Sequence, residues 1–267
     1  MIDFTQAVLL ALMQGLTEFL PISSSAHLVI PALILDWPDQ GLAFDVAVHV
    51  GTLAAVLIYY QQDLRNMAQQ WVSSITGGPA TDDSRMVWFL ALATIPAGLV
   101  GLFGGDYIEH QLRNLPVIAT TTLVFGILLG IADRRAVPAP GRPLTLVMAL
   151  LVGAAQAFAP VPGVSRSGVT MTAALMLGMD RHAAARFSFL LSIPIIASAG
   201  GLKAVELAQE VERVDWGMLL LGAVVSGITA YMCISIFLRL LDRVGLMPFV
   251  YYRVALAALL YFLWLAY

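Results

Sequence analysis

Gln14-Gly15-Leu16-Thr17-Glu18-Phe19-Leu20-Pro21-Ile22-Ser23-Ser24-Ser25-Ala26-His27 is a polar, glycine- and proline-broken stretch inside otherwise apolar sequence, and Pro162-Gly163-Val164-Ser165-Arg166-Ser167-Gly168-Val169-Thr170 is a second. A carboxylate, a histidine, an arginine and a cluster of hydroxyls are costly inside a bilayer, and such groups mark function more often than packing. The apolar regions around them, 4–35 and 144–178, do not read as simple spans. The first is interrupted by Pro21, the serine run and Pro31, and the second by Pro160, Pro162 and Gly163. Proline donates no backbone hydrogen bond and disfavours helix in the residue before it. Each region is therefore expected to form two half-helices around a break. Lipid cannot satisfy freed backbone groups, so each break must sit against protein or water. Both regions are read as re-entrant helix–loop–helix hairpins.

Working outward, six stretches are long and apolar enough to cross about 30 Å of hydrocarbon. They run over roughly 42–60, 86–104, 116–133, 184–206, 216–238 and 248–266. Of the 267 residues, 60% are hydrophobic and 12% charged, and the mean hydropathy is +0.85. A soluble domain carries roughly 25% charged residues, so the class is all-α integral membrane protein. The N-terminus lacks a basic n-region and is expected to stay in the fold rather than act as a cleaved signal. The longest polar stretch, Ser73 to Arg85, is expected to be a loop.

If the loop with Arg134, Arg135 and Arg142 is cytoplasmic, alternating spans place Arg65, Arg85, Arg181, Arg186, Arg239, Arg243 and Arg253 on that side as well. Arg113, Lys203 and Arg213 fall on the other side. Both termini are then expected on the outer face. One membrane domain covers 1–267, with repeat A over about 1–135 and repeat B over about 144–267. Gly15 to Glu18 is matched with Gly153 to Gln156. Three spans after each hairpin invert the second half relative to the first, so the hairpin tips are expected to meet within the membrane.

Gln14 and Glu18, four residues apart, share a helix face with Thr17 beside them. Glu18 suits a divalent cation or general-base work on water or a hydroxyl. Gln14 can ligate or position, or simply bond a neighbouring helix. Among Ser23, Ser24 and Ser25, one is expected to cap a half-helix. Ser24 and His27, three apart, can pair as nucleophile and base; the structural alternative for His27 is a satisfied interior histidine. The planar guanidinium of Arg166 suits bidentate capture of phosphate, with Ser165, Ser167 and Thr170 adding hydroxyls and a half-helix N-terminus adding free N–H groups. Its structural alternative is a pair with Glu18 across the hairpins. Gln156 is read as a brace or a substrate contact. His49 is read as lining or packing, while His110 and His182 are surface positions. Cys233, the one cysteine, supports neither a disulfide framework nor a metal cluster. No zinc motif occurs, and the basic residues are not mixed with stacking aromatics, which argues against nucleic acid.

The two stretches together resemble the motifs of bacterial undecaprenyl-diphosphate phosphatases of the BacA type. Gln14, Glu18, Pro21, Ser23, Ser24 and His27 match the first motif, and Pro162, Gly163, Ser165, Arg166, Ser167 and Thr170 match the second. Gln14 stands where many members of that family carry Glu, which leaves Glu18 as the only acid of its motif. The resemblance implies hydrolysis of undecaprenyl diphosphate, a C55 prenyl lipid, to undecaprenyl phosphate and inorganic phosphate. That reaction recycles the lipid carrier for envelope polymers. The resemblance also implies a divalent cation, Mg2+ or Ca2+, and a site facing the outer side of the bacterial inner membrane; Glu18 and Gln14 are the residues read as able to ligate that cation, although Gln14 weakens a two-carboxylate site. The roles expected are catalytic for Glu18, Ser24, His27 and Arg166. Substrate contact is expected for Gln14, Thr17, Ser23, Ser25, Ser165, Ser167, Thr170 and Gln156. A polyprenyl-phosphate transporter or flippase is the alternative, and a homodimer is left open.

Overall fold

A computed structural model describes residues 2–35, 37–209 and 215–266. It contains α1 (Phe4–Thr17), α2 (Ser24–Ile34), α3 (Leu42–Tyr59), α4 (Gln61–Ile75), α5 (Asp82–Gln111), α6 (Leu115–Arg134), α7 (Leu146–Gln156), α8 (Arg166–Met176), α9 (Arg181–Gln209), α10 (Trp216–Val244) and α11 (Met247–Ala266). Six of these, α3, α5, α6, α9, α10 and α11, are long and apolar enough to cross a membrane. They coincide with the six stretches read from the sequence. Large apolar side chains such as Phe103, Leu220, Phe262 and Leu265 are exposed, whereas Gln14, Glu18, Ser167 and Thr170 are buried. That inside-out distribution suits a lipid solvent, where polar groups must find partners within the protein.

The two interrupted regions are α1–break–α2 and α7–break–α8. At 1.5 Å per residue, no one of these four helices reaches across the hydrocarbon. Three of their four boundaries repeat at one offset, since Leu146 follows Phe4, Arg166 follows Ser24, and Met176 follows Ile34 by the same 142 positions, whereas Gln156 follows Thr17 by 139. Each first half-helix begins at a side-chain cap: Asp3 accepts from the Gln6 amide at 2.8 Å, and Thr145 from the Met148 amide at 3.3 Å. Each second half-helix begins at a serine cap. Ser23 accepts from the Ala26 amide at 3.4 Å and Ser165 from the Gly168 amide at 3.1 Å.

The packing is swapped between the halves. α1 lies on α10 of the second half, and α7 lies on α5 of the first, while α6 pairs with α11 and α3 with α9. Close approach dictates glycine here. A Cβ on Gly15 would come within 2.6 Å of the Ser226 carbonyl oxygen, and one on Gly153 within 2.5 Å of the Ala93 carbonyl oxygen. Gly15 and Gly153 thus perform the same task near the ends of the two first half-helices.

Three expectations are corrected. Pro31 does not break its hairpin; it lies inside α2, which continues to Ile34, and the break falls at 18–23. The stretch from Ser73 to Arg85 is not all loop. α4 extends to Ile75, and α5 begins at Asp82 behind a capping box in which Thr81 and Ser84 bond reciprocally. Arg253 is not a cytoplasmic surface charge, because its side chain is fully buried within α11. Arg213 lies outside the described residues.

At the end where α6, α9 and α10 meet, Asp133 receives Arg181 Nε at 2.6 Å and the Leu246 amide at 3.1 Å. Nearby, Asp180 ties the loop before α7 to the start of α9, accepting from Gly141 N at 3.0 Å and Ala183 N at 2.9 Å. Partial burial works to raise the Asp180 carboxyl, but the amides of Ala183, Gly141 and His182 outweigh it and hold the group below its ordinary value. A depressed folded-state pKa stabilises the fold above the unfolded value of about 3.9 and loses that contribution as pH falls through the folded value. Asp180→Asn is therefore expected to lower the thermal midpoint at pH 7. The gap to wild type should close in melts recorded progressively below about pH 4.

Candidate active site

The two breaks converge on one carboxylate. Glu18 follows α1 directly as its C-terminal cap, and its side chain is 7% exposed. Its Oε1 accepts from Arg166 Nη2 at 2.9 Å. Its Oε2 accepts from Ser24 Oγ at 2.7 Å and from Gln14 Nε2 at 3.0 Å. Ser24 and Arg166 are the first residues of α2 and α8, so they occupy equivalent positions in the two hairpins. The first-turn amides of a helix have no partner within it and form a ready site for anions. Two such helix starts meet here beside one guanidinium.

Local backbone geometry explains how this is built. Ser23 and Ser165 have φ values of 76° and 71°, the only non-glycine residues with positive φ among those described. That left-handed conformation is strained for serine and concentrates at functional sites. Here it turns the chain sharply from each break into its second half-helix. Ser25 Oγ bonds Ser23 Oγ at 3.2 Å, and Ser167 Oγ bonds Ser165 Oγ at the same distance. Ser167 also donates to the Leu20 carbonyl at 2.8 Å, joining one break to the other.

Arg166 is fixed from three directions. Besides Glu18, it donates from Nη1 to the Ser188 carbonyl at 3.0 Å and lies over the Phe19 ring at 5.7 Å. Thr170 does not face the carboxylate. Its hydroxyl bonds Ser188 Oγ at 2.7 Å and the Arg166 carbonyl at 2.9 Å, which buttresses the arginine's own surroundings.

The expected Ser24–His27 pair is not present. His27 Nδ1 donates to the Ser23 carbonyl at 2.7 Å, and Nε2 meets the Tyr252 hydroxyl at 2.6 Å with the two rings stacked. Both ring nitrogens are engaged, and Ser24 turns to Glu18 instead. A carboxylate at 2.7 Å is a closer proton acceptor than a histidine committed elsewhere. Thr17 bonds back to the Met13 carbonyl at 2.6 Å, and Gln156 reaches the Ala93 carbonyl at 3.4 Å on α5. Both are supports of their helices in this arrangement.

Three residues outside the two motifs join the site. His49 on α3 donates from Nδ1 to the Asp45 carbonyl at 2.7 Å, which leaves Nε2 directed to Glu18 Oε2 at 3.9 Å. Tyr252 holds His27, and Arg253 contacts both breaks. The sequence signal for the last was an arginine within an apolar span, a feature that marks function by default. Its nearness to the start of α11 made it resemble a loop charge. For His49 and Tyr252 no local signal separated them from lining residues.

Among the described residues there is no group of three or more His, Cys, Asp or Glu side chains that could hold a metal ion. Glu18 is nevertheless joined by Gln14, whose Oε1 is buried without a hydrogen-bond partner. A carboxylate and an amide oxygen fit the protein's share of a hard-cation site, since Mg2+ is commonly held by one or two carboxylates with substrate phosphates completing its shell. Gln156 Oε1 is equally without a partner, but has no carboxylate bonded to its amide.

Comparison with known proteins places this geometry in context. The family model described as bacitracin resistance protein BacA matches residues 7–259. A protein of Teredinibacter turnerae named undecaprenyl-diphosphatase is 54% identical over 260 residues, covering 97% of this chain and 98% of that one. Proteins with the same name from Chromohalobacter salexigens, 52% identical over 269 residues (99% and 100% covered), and Colwellia psychrerythraea, 53% identical over 267 residues (97% and 98%), are similar throughout.

Proposed function

The chain belongs to the BacA family, and from that premise we propose that it hydrolyses undecaprenyl diphosphate to undecaprenyl phosphate and inorganic phosphate. One observation carries the chemistry: the Glu18 carboxylate is shared between the Arg166 guanidinium at 2.9 Å and the Ser24 hydroxyl at 2.7 Å, contributed by opposite halves of the chain. A phosphate clamp, a nucleophile and a base thus stand around one point.

Phosphoryl transfer depends chiefly on positioning and charge neutralisation. On this reading, the diphosphate competes with Glu18 for Arg166. The start of α2, the start of α8 and the guanidinium then hold the terminal phosphate. Ser24 Oγ attacks that phosphorus while its proton passes to Glu18 Oε2. The bridging P–O bond breaks, and its electron pair leaves on undecaprenyl phosphate. Water then attacks the phosphoserine phosphorus, the P–Oγ bond breaks, Glu18 returns its proton to Ser24 Oγ, and the inorganic phosphate released carries the protons of the water. Ser23, Ser25, Ser165 and Ser167 shape the turns that present these groups, and Gln14 orients Glu18. Glu18 and Gln14 would hold Mg2+ or Ca2+, which neutralises phosphate charge when bound. Direct attack by water activated by Glu18 is the competing route, and phosphate trapped on Ser24 after rapid quenching distinguishes the two.

Placement in the membrane follows the same reading. The hairpins are re-entrant from opposite leaflets, the site opens to the outer side of the bacterial inner membrane, and both termini lie outside. Support comes from the clustering of Arg65, Arg85, Arg134, Arg135, Arg142, Arg181, Arg186, Arg239 and Arg243 at one set of helix ends. Short half-helices, swapped packing and the 142-residue offset support the repeat.

Purified protein is expected to release inorganic phosphate from a prenyl diphosphate, to lose that activity in EDTA and to regain it on adding Mg2+ or Ca2+. Lipid movement in proteoliposomes without phosphate release would instead favour the flippase reading.

A further inference from the structure

Arg253 is the largest fully buried side chain among those described. Its charge meets backbone carbonyls rather than a carboxylate. Nε donates to Thr122 O at 3.1 Å and Nη1 to Pro21 O at 3.1 Å. Nη2 donates to Gly163 O at 2.8 Å, Val164 O at 3.1 Å and Thr121 O at 3.4 Å. Pro21 is three residues before Ser24, and Gly163 is three residues before Arg166. One planar guanidinium therefore holds both breaks at equivalent points and ties them to α6.

We propose that Arg253 is a positioning residue that sets the distance between the Glu18–Ser24 pair and Arg166. Carbonyls in a helix break lie outside the hydrogen-bond ladder and need a partner in a dry interior. Separate donors could satisfy them without fixing the breaks relative to each other. A guanidinium presents five N–H groups in one rigid plane, so satisfying the carbonyls through it also sets their spacing. The second break is held again from α6, where Thr121 Oγ1 donates to Pro162 O at 2.6 Å. For the first break, the Arg253 contact at Pro21 is the matching tie. Tyr252, the preceding residue, holds His27 of the same hairpin. α11 thus carries a two-residue clasp for a site to which it contributes no reacting atom.

This inference rests on the hydrolase reading, and its test separates the two. Arg253→Lys and Arg253→Met are compared with wild type for prenyl-diphosphate turnover and for thermal midpoint. A displacement of reacting groups by about 1 Å is expected to cost roughly 100-fold in rate. Arg253→Met is therefore expected to lower kcat by about that factor with KM changed less than about threefold. Arg253→Lys should restore part of kcat, because an ammonium satisfies some of the carbonyls but lacks the fixed fork. A folded Arg253→Met protein with near wild-type kcat, or with only KM raised, overturns the proposal.

If neither Arg253 variant folds, Gly126→Ala decides. A Cβ there would meet Arg253 Cβ at 3.0 Å and Nε at 3.2 Å, displacing the guanidinium without removing it. Reduced kcat at an unchanged midpoint supports the clasp, and unchanged kcat overturns it. Amide exchange provides a readout without turnover. Exchange at 19–25 and 161–168 should rise together in the Arg253 variants. If wild-type protein releases no phosphate, the hydrolase reading fails, and this exchange result alone judges the clasp; a rise at only one break, or none, overturns it.

Discussion

Arg166→Ala is expected to reduce phosphate release by at least about a thousandfold while the protein remains folded and monodisperse. An arginine that stabilises transferring phosphoryl charge is typically worth roughly 10³–10⁵ in kcat. Here the side chain also holds Glu18 at 2.9 Å and the Ser188 carbonyl at 3.0 Å, so its loss removes the clamp and unfixes the base. KM should rise as well, since the guanidinium binds the ground-state anion. Arg166→Lys keeps the charge but cannot span Glu18 and Ser188 in one plane, and should remain at least about tenfold below wild type. Turnover of Arg166→Ala near the wild-type rate, measured as inorganic phosphate from a prenyl diphosphate, would remove the clamp from the mechanism.

Glu18→Gln is the second large effect, and its kinetic signature differs. The amide keeps the shape and can still meet Ser24, but it cannot take the hydroxyl proton. General-base loss costs roughly 10²–10⁴-fold, so kcat should fall by that range. KM should not rise, because Arg166 is no longer neutralised by a carboxylate and meets the diphosphate uncontested. A KM that rises in Arg166→Ala but not in Glu18→Gln separates clamp from base. A Glu18→Gln enzyme with intact kcat would show that Ser24, or water, is activated by another group. His49, whose Nε2 lies 3.9 Å from Glu18 Oε2, would then be the group to replace next.

Several features were legible in the linear chain because they are local. Apolar run length reported the six crossing helices, and proline and glycine reported the two breaks. The serine-rich turns announced the starts of α2 and α8. The meeting of Glu18 with Arg166 was readable as an expectation because a carboxylate and a guanidinium in apolar surroundings each need a partner. The Ser24–His27 pairing failed for a specific reason. Spacing of three on a helix makes two side chains neighbours, but it does not specify their rotamers, and Tyr252 from 225 residues away takes the histidine. The role of Arg253 was hidden because a basic residue near a span's start looks the same whether it reaches water or turns inward.

By itself, the sequence determined an all-helical membrane protein with two polar interruptions and the chemistry available at each, since helix length, helix breaking and desolvation cost depend on neighbours along the chain. The tertiary structure alone decided which groups share a partner. Glu18 binds Ser24 and Arg166, His27 binds Tyr252, and Arg253 spans both breaks. The physical reason is that buried polar groups take whatever partner folding brings within about 3 Å, and that choice is made between helices distant in sequence.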